Sequence, residues 1–130
     1  MTDRDQPVLI VEDDESLRRL VSRQLRGQGF LVEEAASAEA AARALTTGLR
    51  PGLVILDLNL PGDTGWDLLR GRAMSAAGSP PVVITSATAV SPRRLAEFGC
   101  AGYLPKPFPM DTLVATVERY LGSRDRSQTG

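Results

Sequence analysis

Apolar residues in this chain fall into short continuous runs, and each run is followed by a stretch with helical spacing. Pro7-Val8-Leu9-Ile10-Val11 is such a run, as expected of a strand covered on both faces. Leu17, Leu20, Val21 and Leu25 then recur at helical spacing, and Gly27 and Gly29 close that segment. Phe30-Leu31-Val32-Glu33-Glu34 reads as a second strand, half polar and suited to a sheet edge. Ser37 is placed to cap an alanine-rich helix through Leu45, closed by Gly48. Leu53-Val54-Ile55-Leu56 predicts a third strand ending at Asp57. Pro61-Gly62-Asp63 reads as a turn, and Thr64 with Asp67 as a capping box for the helix carrying Leu68 and Leu69. Gly78-Ser79-Pro80-Pro81 breaks the chain before a fourth strand, Val82-Val83-Ile84-Thr85. Ser91-Pro92 predicts an N-cap with proline at the first helical position, for a helix of about two turns before Gly99. Tyr103-Leu104 belongs to a fifth strand, and Met110 to Leu121 forms a last helix with Leu113, Val117 and Leu121 on one face.

Strand followed by helix, five times over, implies a single α/β domain with a parallel sheet and helices on both faces. We place it at residues 7–121, between a polar arm at 1–6 and a polar tail at 122–130. In such open sheets a ligand lies beyond the carboxyl ends of the strands. Glu12, Asp13 and Asp14 follow the first strand; Asp57 and Asn59 follow the third; Thr85 and Ser86 follow the fourth; Lys106 follows the fifth. All of these polar groups therefore fall at one edge of the sheet, which the apolar pattern does not require.

Composition narrows the chemistry. The 130 residues carry a net charge of −1, so no overall basic coat for nucleic acid is present. No apolar run reaches the length of a membrane span, and the polar N-terminus has no signal-peptide core. Cys100 is the single cysteine, which rules out an internal disulfide and fits a reducing, cytoplasmic setting. The absence of histidine excludes Ser-His and Cys-His catalysis and histidine-ligated zinc. Lys106 is the only lysine among 15 basic residues, a hint that one position needs a compact ammonium; chance retention of one surface lysine is the plain alternative.

Crowded carboxylates repel: two unit charges ~4 Å apart cost roughly 4 kcal/mol at an effective dielectric of 20. Such a site raises a carboxylate pKa or recruits a cation. With hard oxygen donors and no histidine, that cation is Mg²⁺, with Mn²⁺ or Ca²⁺ as alternatives. Asp57 could then attack phosphorus, with Lys106 and Ser86 supporting the phosphoryl oxygens.

Val11-Glu12-Asp13-Asp14, Leu56-Asp57-Leu58-Asn59-Leu60-Pro61-Gly62, Ile84-Thr85-Ser86-Ala87 and Tyr103-Leu104-Pro105-Lys106-Pro107-Phe108 resemble the signature blocks of the response-regulator receiver domain of two-component systems. The resemblance implies a doubly wound, flavodoxin-like sheet of five strands in the order 2-1-3-4-5, an order that the apolar pattern does not itself give. It implies Asp57 as phosphoacceptor, Asp13 as direct metal ligand, Glu12 as a direct or water-mediated ligand, and Asn59 as a backbone-carbonyl ligand. Ser86 and Tyr103 match the switch pair, Lys106 matches the phosphate-contacting lysine, and the Lys106-Pro107 bond is cis in relatives. A histidine kinase or a histidine phosphotransfer protein would be the donor. Output would pass through a surface near the fourth helix, fifth strand and fifth helix to an effector. No separate substrate turnover, no direct nucleic-acid binding and no membrane contact are expected.

Plainer readings stand beside these. Asp14 is the better N-cap than Asp13. Thr85 neighbours Ser86, Tyr103 could simply pack, and Cys100 reads as a small buried filler. Trp66 reads as helix packing or a partly exposed ring, and Arg93 and Arg94 as a solvated face. The spacing from Ser86 to Lys106 is about two residues shorter than is usual in the family, which falls on the fourth helix. Ala101-Gly102 stands where an acidic pair often precedes the switch aromatic, so the charge-dependent dimer of the winged-helix transcription factors is not assumed. No DNA-binding segment follows Leu121, as expected of a stand-alone receiver or of a cut from a longer protein. An aspartate-nucleophile phosphohydrolase would want a carboxylate at Asn59 and a cap; a flavodoxin-like carrier would want a phosphate loop where four acids stand; a pseudo-receiver would fold without being phosphorylated.

Overall fold

The computed structural model describes residues 5–62 and 64–122. Most of the N-terminal arm, the tail beyond Gly122 and Asp63 of the expected turn lie outside the described residues. Strands β1 (Val8–Val11), β2 (Val32–Ala35), β3 (Leu53–Asp57), β4 (Val82–Ser86) and β5 (Gly102–Pro105) alternate with helices α1 (Glu15–Gly27), α2 (Ala38–Thr46), α3 (Gly65–Arg70), α4 (Ala73–Ala76), α5 (Pro92–Glu97) and α6 (Met110–Leu121). The sheet is parallel throughout, in the order β2-β1-β3-β4-β5.

The apolar runs become strands because both faces of the central sheet are covered. Every residue of β1, β3 and β4 is buried, whereas the edge strand β2 exposes Glu33 and Glu34. On one face Val8, Ile10, Ile55 and Val83 pack against Val21 and Leu25 of α1 and Leu113, Val117 and Leu121 of α6. On the other, Leu9, Val11, Val54, Leu56 and Ile84 pack against Ala41 and Leu45 of α2, Leu68 of α3 and Met74 of α4. Full burial of each such side chain contributes about 1.5–3 kcal/mol.

Side-chain oxygens of Asp14, Ser37, Thr64 and Ser91 all accept backbone N–H groups at helix starts, and the Thr64–Asp67 capping box is complete. Three boundaries differ from the sequence reading. β2 begins at Val32, because Phe30 N–H donates to the Leu25 carbonyl in the turn that closes α1 and Phe30 buries itself there. β4 continues through Ser86, which pairs with Pro105 of β5. The region after β3 holds two short helices, because the backbone at Gly71 is extended (φ −78°, ψ 177°) and interrupts the helical run. There are thus six helices among the described residues.

Candidate functional site

Parallel pairing in register brings the carboxyl ends of β1, β3 and β4 to one edge, since Val11 lies beside Leu56 and Asp57 beside Thr85. Glu12 leaves β1 still tied to the sheet, its N–H donating to the Ala35 carbonyl at 3.0 Å. Its side chain is buried, while Asp13 and Asp14 are exposed. Asp57 ends β3 with only 2% of its surface exposed, so a charged group is held in the protein interior. The first turn of α3 closes over it. A Cβ on Gly65 would come within 2.8 Å of the Asp57 carbonyl oxygen, so only glycine allows this approach.

Carboxylate oxygens of Glu12, Asp13 and Asp57 lie within 4.8 Å of one another. Lys106 reaches into this group: its Nζ is 2.6 Å from Glu12 Oε1 and 3.2 Å from Asp57 Oδ2. The backbone holds the lysine there, because Lys106 N–H donates to the Ser86 carbonyl at 2.8 Å; the Lys106-Pro107 bond is cis. One ammonium thus pairs with two of the three clustered carboxylates. Burial pushes the Glu12 carboxyl above its ordinary value; hydrogen bonds from Lys106 and Asp14 pull against this, and the nearby Asp57 charge adds to it. Burial by itself would lower the Lys106 ammonium, but the hydrogen bond and charge of Glu12, with the charge of Asp57, outweigh it and raise the pKa. The remaining negative charge and the all-oxygen donor set fit a hard divalent cation such as Mg²⁺.

Around this centre runs a second set of bonds. Asn59 N–H donates to Asp57 Oδ1 at 3.0 Å, and Asn59 Nδ2 donates to Ser86 Oγ at 3.2 Å. Ser86 Oγ is also 2.9 Å from Thr88 Oγ1 and accepts Thr88 N–H at 3.1 Å. Tyr103 Oη donates to the Thr88 carbonyl at 3.2 Å. Ser86 and Tyr103 therefore share one anchor, Thr88. On the β2 side, Arg18 donates from Nη1 to the Glu12 carbonyl and from Nε to Glu34, each at 3.0 Å.

The structure brings together Glu12, Asp13, Asp57, Asn59, Ser86 and Lys106, and puts Tyr103 one residue removed, through Thr88. Three participants were not singled out from sequence: Thr88, Arg18 and Gly65. The glycine immediately after a capping threonine near a strand end was the available signal for Gly65. The other two depend on contacts between distant elements. Arg93 is exposed, as expected of a solvated face, while Arg94 is partly buried, its guanidinium 4.9 Å from the ring centroid of Trp66 and 5.4 Å from that of Phe98. No helix among the described residues is long and apolar enough to cross a membrane.

A family model described as the response regulator receiver domain matches residues 8–118. Protein PetR of Rhodobacter capsulatus is 36% identical over 116 residues, covering 88% of this chain and 48% of PetR. The DNA-binding response regulator MtrA of Mycolicibacterium paratuberculosis is 38% identical over 124 residues, covering 92% of this chain and 53% of MtrA. The chain spans about half the length of these curated relatives. Among solved structures, chemotaxis protein CheY4 of Vibrio cholerae superposes with a TM-score of 0.78 at 32% identity, over 89% of this chain and 98% of that one. The receiver domain of the hybrid histidine kinase CckA does so with a TM-score of 0.75 at 33% identity, over 88% of this chain and 98% of that one.

Proposed function

The chain belongs to the response regulator receiver domain family of two-component systems, and from that premise we propose that it accepts a phosphoryl group on Asp57. The observation that carries the reading is the buried Asp57 carboxylate with Lys106 Nζ 3.2 Å away and two further carboxylates beside it. The donor is the phosphohistidine of a partner kinase or phosphotransfer protein, since this chain has no histidine. An Asp57 oxygen forms the new bond to phosphorus while the phosphorus–nitrogen bond of the donor breaks.

Glu12, Asp13, Asp57 and the backbone carbonyl of Asn59 are the groups proposed to hold Mg²⁺, or Mn²⁺ in its place. When bound, the ion supplies positive charge that offsets the phosphoryl oxygens. Lys106 pairs with another of those oxygens as a point charge. Ser86 is the hydroxyl that turns to donate to the phosphoryl group, leaving its bonds to Asn59 and Thr88. Because Tyr103 is anchored on the Thr88 carbonyl, a move of Ser86 frees Tyr103 as well. The change is then displayed on the surface of α5, β5 and α6, where an effector reads it. In this reading the protein works in the cytoplasm and turns over no diffusible substrate beyond slow loss of its own phosphoryl group.

The test is the intact mass after incubation with acetyl phosphate, with and without Mg²⁺, for the wild type and Asp57→Asn. A Mg²⁺-dependent gain of one phosphoryl group, absent in the variant, is expected. No gain under any condition would sink the reading and leave a folded receiver that is not phosphorylated.

A further inference from the structure

We propose that the face shared by α3 and α5 is a docking surface for an acidic segment of a partner protein, anchored on Arg94. Trp66 of α3 and Phe98 at the end of α5 stack with ring centroids 4.7 Å apart and planes at 32°. Arg94 covers both rings, and Arg70 lies 5.3 Å from the Phe98 centroid. Stacking occupies the flat face of a guanidinium and leaves its N–H edge available for a carboxylate.

Arg18, Arg19, Arg26 and Arg70 each spend that edge on a carboxylate within 3.7 Å; Arg94 is one of several described arginines that do not, and the one stacked over the two rings. The exposed Arg93 adds a second unpaired charge on the same helix. Asp67, the nearest acid on α3, is engaged by Thr64 and Arg70.

Beside Arg94 opens a cleft of about 520 Å³, with Leu58, Val90 and Trp66 as its apolar wall and Asn59 and Thr64 as polar rim. A partly buried tryptophan beside stacked arginines is of the composition enriched at the energetic centres of protein interfaces. The complementary segment carries a carboxylate for Arg94 and an apolar side chain for the cleft.

The experiment is a calorimetric titration of the whole chain with a twelve-residue peptide of alternating acidic residues and leucine or phenylalanine. Its Asn/Gln counterpart is titrated in parallel, and emission of the single tryptophan, Trp66, reports the location. The acidic peptide is expected to bind and shift Trp66 emission, and the amide peptide to bind at least about tenfold more weakly. Arg94→Gln weakens acidic-peptide binding about tenfold or more, and Arg94→Lys nearly as much because the planar fork is lost. Arg19→Gln, the same charge change on α1, leaves it within about twofold. Should Arg94→Gln fail to fold, Arg70→Gln tests the same face, since Arg70 also lies over the Phe98 ring. Equal binding of both peptides, an equal loss in Arg19→Gln, or no binding at all would overturn the proposal. So would concentration-dependent dimerisation abolished by Arg94→Gln, which would assign the face to a second copy of this chain. Arg94→Gln retains the acetyl phosphate mass gain, which separates this surface from the chemistry at Asp57.

Discussion

The two faces of the sheet are covered in different ways. Under β1 and β3, α1 and α6 run 13 and 12 residues and bury Val21, Leu25, Leu113, Val117 and Leu121. At the β4 end of the opposite face, α3, α4 and α5 run six, four and six residues, and α5 buries no residue fully. Long helices gain their hold from apolar area. The short ones bury less, Leu68 on α3 and Ala73 and Met74 on α4, and lean as well on the caps of α3 and α5 and the Trp66–Phe98 stack. A face held by few, directional contacts can be rearranged by changing one of them, while a face held by area resists. The carboxylates sit at the junction of the two, with Glu12 on the firm side and Ser86 on the looser one.

The largest effect that would break this contrast is a matched pair of truncations. Leu113→Ala on α6 is expected to lower the unfolding free energy by about 3 kcal/mol, and Leu95→Ala on α5 by about 1 kcal/mol or less. Equal losses in urea unfolding would mean that α5 is held by area after all. Next comes the junction itself. Lys106→Met leaves Glu12 and Asp57 without their ammonium and costs about 2 kcal/mol in the absence of divalent ions. Mg²⁺ should raise the melting temperature of this variant more than that of the wild type; an equal rise would mean that Lys106 and the ion do not share the same charge.

On the firm side, Arg18→Ala removes the donor to the Glu12 carbonyl and leaves Glu34 without its closest partner. A loss of about 1.5 kcal/mol is expected, together with weaker Mg²⁺ binding by calorimetry. Unchanged metal affinity would show that Glu12 is placed by the sheet alone. The smallest effect is on the looser side, where Thr64→Ala removes the cap of α3 and costs about 1 kcal/mol. Its partner Asp67 is held below its usual range by the Thr64 backbone and side-chain hydrogen bonds. A lowered folded-state pKa means a contribution that is full above the ordinary carboxylate value of 3.8 and fades as pH falls through the lower folded value. Acid unfolding of wild type and Asp67→Asn should therefore converge below that range.

Much of this was legible in the chain because its local signals agree with one another. The runs at Val8–Val11 and Leu53–Leu56, the caps at Ser37, Thr64 and Ser91, and the acids just past the strands are all sequence-near patterns. Their gathering at one edge follows from parallel order alone. What could not be read depends on long-range geometry. Nothing in the spacing ties Tyr103 to Thr88, Arg18 to Glu34, or Arg94 to Trp66, since each pair joins separate elements. The early break at Gly71 was hidden for another reason: alanines on its far side continue to favour helix, and only the observed extended backbone reveals the interruption.

The bridge made by Lys106 has a consequence for when this protein can exist. Because the acidic centre carries its own resident cation, the chain can complete folding while magnesium is scarce, with Glu12 and Asp57 already partnered. The same resident charge makes the pocket a weaker competitor for divalent ions than three bare carboxylates would be. On the Mg²⁺-dependent function proposed above, scarcity of the metal would therefore silence the protein without destroying it, and readiness would return on resupply with no new synthesis.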